Sequence, residues 1–158
     1  METIKLNPAG KAIYGVPEVS TKGLRKYGMA LLTIAGADDE VSEPEMNWFM
    51  NVWAHNVGAS NDLIRDWSKF DYRSANLNEI LDEIGSDFPL RSSATLIYDG
   101  VHMSLADDEY ALEERDAVMK TAAFLNIDKF TVRNIEGLIE LERAGSKIRH
   151  SIFKQDAN

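Results

Sequence analysis

The chain has 158 residues, 44% of them hydrophobic, which is enough for one domain with a proper core. Lys and Arg number 17 against 26 Asp and Glu, a formal charge of −9, which argues against bulk nucleic-acid binding and against unaided docking on anionic lipid. With no cysteine, the chain excludes disulfides, thiolate metal sites and thiol redox chemistry.

The N-terminal stretch lacks the apolar core of a signal peptide, and no run approaches the roughly 18 apolar residues of a membrane span. The expectation is a soluble, cytoplasmic protein. Residues 1–19 carry Pro8, Gly10, Gly15 and Pro17 and read as an extended strap that docks Ile4, Leu6, Ile13, Tyr14 and Val16 on the domain.

The remainder reads as helix. A first helix is predicted over 20–36, with Leu24, Tyr27, Leu31, Leu32 and Ala35 on one face. Gly23 and Gly28 weaken it by about 1 kcal/mol each relative to Ala, and allow another helix to approach closely. A second helix, 43–57, opens on a capping box in which Ser42 is N-cap and Glu45 is N3. Met46, Phe49, Met50, Trp53 and Val57 form its inward stripe. Shorter helices follow at 61–70 and 77–84, separated by a loop at 71–75.

The second half restarts near Ser86. Helices are predicted at 89–105 (Leu90, Leu96, Ile97, Val101 and Leu105 inward), 111–125 (Leu112, Val118, Ala122, Leu125) and 128–143 (Val132, Ile135, Leu138, Ile139, Leu141). A charged tail, 144–158, retains Ile148, Ile152 and Phe153 for docking. No strand-like alternation is evident. The fold class is therefore all-α, about seven helices in an antiparallel array, with the domain spanning 20–143.

An acidic sequence occurs twice. Ala37-Asp38-Asp39-Glu40 recurs 69 residues later as Ala106-Asp107-Asp108-Glu109, and Glu45 lands on Glu114. The flanking helices also align, with the offset shortening by one residue so that Val57 lands on Leu125 and Ile64 on Val132, which indicates an internal pseudo-twofold duplication. Such a duplication brings the two acidic turns together or sets them at opposite ends, and the sequence leaves both arrangements open.

Asp and Glu at helix starts serve the free N–H groups and the helix dipole, which accounts for Glu45 and Glu114. Asp38, Asp39 and Glu40 instead follow the C-terminal end of a helix, where the dipole disfavours anions. A hard-cation site is the sharper expectation, with Asp38, Asp39, Glu40, Glu45, Asp107, Asp108, Glu109 and Glu114 as oxygen ligands. Ca²⁺ or Mg²⁺ would come first, and Mn²⁺ or Zn²⁺ behind them. An acidic patch facing a basic protein surface is the third alternative. Asp99 and His102, three apart just before the second turn, are accessory candidates, although a hydrogen-bonded, half-buried histidine is the plainer account of His102. Trp48, Trp53 and Trp67 read as core.

The run Ala-Asp-Asp-Glu-Val-Ser-Glu-Pro-Glu at 37–45 resembles the repeat motif of the tellurite-resistance TerB-like family, Ala-Asp-Gly-x-Val-Ser-x-x-Glu. The second copy, 106–114, resembles its more degenerate partner, and the resemblance covers about 20–143. It implies an all-α fold of about seven helices and an accessory role in tellurite resistance or stress response. It also implies an acidic, metal-binding surface in which Asp38, Glu45, Asp107 and Glu114 are the principal acids. The chain departs at the motif glycine, which is Asp39 and Asp108 here, and this puts the turn geometry in question. Tellurite is an anion that an acidic cluster repels, so any role in resistance would be indirect. The functions open at this stage are a non-catalytic cation-binding module, an acidic-face interaction adaptor and, ranked below both, a metal-dependent hydrolase.

Overall fold

A computed structural model describes residues 2–84, 88 and 94–154. The fold is all-α apart from one small hairpin, β1 (Thr3–Lys5) paired antiparallel with β2 (Glu18–Ser20), Ile4 opposite Val19. Between them lies α1 (Pro8–Tyr14). The first 19 residues are thus more structured than an extended strap. The signals are local: the Asn7 side chain accepts from the Gly10 N–H, Pro8 sits at the helix start, and Gly15 ends the helix at φ 71°. Leu6 and Val19 are buried, whereas Ile13, expected to dock, is 50% exposed.

The central helix is α2 (Thr21–Ala35), capped by Ser20. After the first acidic turn come α3 (Glu43–Asn47), a π-helical stretch (Trp48–Trp53) and α4 (Ala54–Asn56), which form one continuous rod ended by Gly58 at φ 69°. Then follow α5 (Asn61–Lys69), α6 (Leu77–Ile84), α7 (Thr95–Ser104), the second acidic turn, α8 (Leu112–Phe124) and α9 (Lys129–Phe153). The expected start of the fifth helix at Pro89, its inward Leu90 and the stop at Gly85 lie outside the described residues. No helix among the described residues is long and apolar enough to cross a membrane.

Packing centres on α2, which touches α5, α6, α7 and α8. One cluster gathers Leu24, Tyr27, Leu31 and Leu32 with Phe49, Trp53, Leu63, Trp67, Leu81 and Leu96. A second gathers Ile34 with Ile97, Val101, Val118, Val132 and Ile139. Trp53 stacks on Tyr27 at 5.7 Å between centroids, and Trp67 meets Phe49 edge-on at 5.2 Å. The close approaches expected at the glycines of α2 are made by rings: a Cβ on Gly28 would lie 2.4 Å from Trp67, and one on Gly23 would lie 2.3 Å from Phe88.

Three inward assignments fail. Leu112 is 76% exposed, Leu141 73% and Leu138 47%. Leu112 is the first residue of α8 and extends past the packed face. The C-terminal part of α9 projects beyond the helices it packs on, so the expected separate tail is a continuation of one helix to Phe153, and Ile148, Ile152 and Phe153 stand exposed.

Candidate functional site: two acidic turns and an aromatic cavity

The two turns have the same backbone construction. In the first, Gly36 N–H donates to Leu32, Ala37 to Ile34 and Asp39 to Gly36; in the second, Leu105 donates to Val101, Ala106 to Met103 and Asp108 to Leu105. Each correspondence is offset by 69. The Asp38 carboxylate accepts the Glu40 N–H at 3.3 Å and that of Asp107 the Glu109 N–H at 3.0 Å. The residue at the motif-glycine position takes the left-handed conformation in both copies, φ 75° at Asp39 and 65° at Asp108. The turn geometry therefore survives the loss of glycine, because Asp tolerates this region better than most residues.

Each turn is pinned by an arginine, but by a different route. Arg73 Nε donates to the Asp39 carbonyl at 2.7 Å. Arg143, from α9, donates to the Leu105 carbonyl and pairs with the Asp108 carboxylate. Tyr72 completes the first turn: its hydroxyl accepts the Val41 N–H at 3.1 Å, and its ring covers Gly36.

Glu45 and Glu114 are the two acids that the fold brings together. Glu45 accepts the Ser42 N–H at 2.8 Å and completes the expected capping box. Glu114 accepts the Ala111 N–H at 2.9 Å, with Ala111 supplying no reciprocal side-chain bond. Each glutamate is only 2% exposed. Their carboxyl groups meet, and burial followed by this contact raises Glu114 to about 9; burial also raises Glu45, assisted by the neighbouring Asp107. Oε2 of each glutamate and Oγ of the adjacent Ser104 are buried together, with no hydrogen-bond partner outside this group.

The other acids sit differently. Asp38, Asp39, Glu40, Asp108 and Glu109 are exposed and Asp107 is half-buried. Among the described residues, no group of three or more Asp, Glu or His side chains stands close enough to hold a metal ion. The eight acids thus form a buried pair with an exposed acidic fringe.

Asp99 and His102 belong to a different place. They line a cavity of about 470 Å³ between α1, the π-helical stretch, α7 and α9, to which no acidic-turn residue contributes. Asp99 is 3% exposed; its Oδ2 accepts the hydroxyls of Tyr14 and Tyr27, each at 2.7 Å. Trp53 Nε1 donates to the Tyr14 oxygen at 3.0 Å. Burial pushes Asp99 up from 3.8 to about 6, against the hydrogen bonds that pull it down. His102 is half-buried between Trp48, stacked at 5.1 Å, and Tyr98, and burial lowers its pKa. Sequence reasoning read Trp48 and Trp53 as core. Trp53 is buried as expected, although one edge of it lines the cavity, and Phe49 lies inward as its stripe predicts; Trp48 is the exception, half-buried on the cavity wall beside Val52.

Comparison with known proteins follows the same lines. No curated protein matches the chain. The crystal structure of a tellurite resistance protein from Nostoc punctiforme PCC 73102 superposes with a TM-score of 0.75, covering 92% of this chain and 90% of that one at 22% sequence identity. At that identity the likeness establishes the fold. The family model described as tellurite resistance protein TerB matches residues 27–136, a span that includes both acidic turns and the helices flanking them. The chain belongs to the TerB tellurite resistance family.

Proposed function

We propose that the protein is a non-catalytic module of tellurite resistance that binds a hydrated hard cation at the Glu45–Glu114 junction. The observation that carries this reading is the trio of buried oxygens, Glu45 Oε2, Glu114 Oε2 and Ser104 Oγ, which meet where the two duplicated turns come together and have no partner outside the trio. Two carboxylates in one buried place are mutually repulsive unless a proton or a cation lies with them. The donor set is all oxygen, which suits Mg²⁺ or Ca²⁺ and not a soft metal. Two carboxylates are few for Ca²⁺, which takes six to eight oxygens, whereas Mg²⁺ commonly keeps several waters and one or two carboxylates. Mg²⁺ is therefore the preferred ion. A cation there would neutralise the pair and tie the start of α3 to the start of α8. An anion such as tellurite finds no attraction in this place, so the role in resistance would be indirect, through the ion or a partner.

Isothermal titration calorimetry with Mg²⁺, Ca²⁺, Mn²⁺ and Zn²⁺ tests the proposal. Mg²⁺ or Ca²⁺ should bind, and the Glu45→Gln, Glu114→Gln double variant should bind neither while keeping its helical circular dichroism. Absence of binding to the native chain at millimolar concentrations of all four ions would remove it.

The exposed fringe of Asp38, Asp39, Glu40, Asp108 and Glu109 favours a second reading, an adaptor that docks a basic protein surface. It predicts an association that weakens with salt, has no metal requirement and is lost when these five are replaced by their amides.

A further inference from the structure

The cavity between α1, the π-helical stretch, α7 and α9 has a composition that the acidic turns do not explain. Its walls include four aromatic rings, Tyr14, Trp48, Trp53 and Tyr98. Two carboxylates reach it: Asp99 at the buried end, and Glu142, which accepts the Tyr98 hydroxyl. Both carboxylates lie near enough to that phenol to raise its pKa. Among the described lining residues there is no Lys or Arg, and Asp99 has no ion pair among them. Ile13, Val52 and Leu138 line the cavity and are also exposed, so they mark its mouth.

A buried carboxylate without a counter-ion is costly, and the two tyrosine hydroxyls that donate to Asp99 offset only part of that cost. The missing component is a positive charge. Aromatic faces also attract a cation within about 6 Å of the ring centre. A volume of about 470 Å³ holds about 15 groups of water size, at about 30 Å³ each. The occupant is thus small. An anion would face two carboxylates, and a neutral apolar molecule would leave Asp99 without its counter-charge.

We propose that this cavity binds a small organic cation, an ammonium group carried on an aromatic or aliphatic body, with the charge drawn to Asp99 and Glu142 and the body held against Trp48 and Trp53. His102, which burial keeps neutral, presents an acceptor nitrogen to the ammonium, and its stacking on Trp48 fixes the wall that the body meets. The site is separate from the Glu45–Glu114 junction, so neither proposal depends on the other.

The test uses three probes of similar size: 2-phenylethylammonium, neutral 2-phenylethanol and anionic 3-phenylpropionate. Binding is followed by tryptophan fluorescence and by the indole N–H resonances of Trp48 and Trp53. The ammonium should bind at least about tenfold more tightly than the alcohol, and the carboxylate should not bind. Glu142→Gln, at the exposed side of the cavity, should weaken the ammonium several-fold without affecting the alcohol. Asp99→Asn should abolish the preference for charge, and Trp48→Ala should weaken the ammonium and the alcohol alike. If Asp99→Asn fails to fold, Glu142→Gln and the probe series decide alone. The Glu45→Gln, Glu114→Gln variant should bind the ammonium unchanged. Equal affinity for ammonium and alcohol, or no ammonium binding at about 10 mM, overturns the proposal.

Discussion

Glu45 and Glu114 hold equivalent places in the two repeats, 69 residues apart in sequence, and their carboxyl groups touch in the fold. Each closes the first turn of its own helix, through the Ser42 and Ala111 N–H groups, before it meets the other. A residue pair that began as two helix caps is thereby also the contact between the two acidic turns.

The first prediction concerns pH. Burial raises both glutamates above their ordinary value of 4.5, and the contact with Glu45 raises Glu114 further. A group whose folded pKa is raised contributes stability that is complete below its unfolded pKa and is lost as pH rises through its folded pKa. Stability should therefore decline between about pH 4.5 and 9 through this pair. Glu114→Gln keeps the capping acceptor and removes the titration. The variant should show a flatter profile and exceed the native chain at pH 8 by about 1–3 kcal/mol. Urea unfolding of both proteins at pH 5 and pH 8 measures it, and parallel profiles would refute it.

Asp39 supplies a second prediction. Its φ of 75° is a conformational demand, separate from its charge. Asp39→Gly should stay within about 0.5 kcal/mol of the native chain, whereas Asp39→Val should cost about 1–2 kcal/mol, because a β-branched side chain resists the left-handed region. Equal thermal shifts for the two variants would show that the backbone does not govern this position.

Arg143 anchors the second turn through the Leu105 carbonyl and the Asp108 carboxylate. Its side chain is 28% exposed and that of Asp108 77%, so solvent screens much of the ion pair. Arg143→Ala should cost about 1 kcal/mol, mostly from the carbonyl bond. The local signature is faster hydrogen exchange at Ala106, Asp108 and Glu109, with the first turn, held by Arg73, unchanged.

Two glycines should respond in opposite directions. A Cβ at Gly28 would sit 2.4 Å from the Trp67 ring, and Trp67 is fixed by its Nε1 bond to the Arg25 carbonyl at 3.0 Å. Gly28→Ala should destabilise by about 1–3 kcal/mol or more, since the ring has no room to yield. At Gly137 in α9 a Cβ meets nothing within 4 Å. Gly137→Ala should stabilise by about 0.5–1 kcal/mol through helix propensity alone. Thermal unfolding of the two single variants distinguishes the cases by sign.

Sequence was most informative where a local rule governs. The helix start at Ser42 is legible because one side-chain oxygen satisfies one free N–H three residues on, and the same rule, not read from the sequence, operates at Ser60 and Asp128. The buried face of α2 follows from apolar spacing, because a helix of fixed pitch must place those residues on one side. The same local code was present and overlooked at Asn7-Pro8, where a cap and a first-turn proline open α1. The repeat was visible because duplicated turns reuse the same backbone hydrogen bonds, and those bonds constrain residue type.

Other features depend on how far one helix extends past its neighbours and on what crosses from elsewhere in the chain. Leu138 and Leu141 have the spacing of core residues, yet the face of α9 that its neighbours cover carries Val132, Ile135 and Ile139 instead, and no sequence period encodes which face a neighbour covers. The Asp99 cage draws Tyr14 from α1 and Tyr27 from α2, 85 and 72 residues away in the chain. The sequence by itself determined the helices, the twin turns and the acidic residues within them, because each rests on contacts a few residues long. Which acids meet, and that Asp99 and His102 belong to an aromatic cavity, was decided by tertiary packing, because burial and proximity are properties of the assembled helices and not of any one of them.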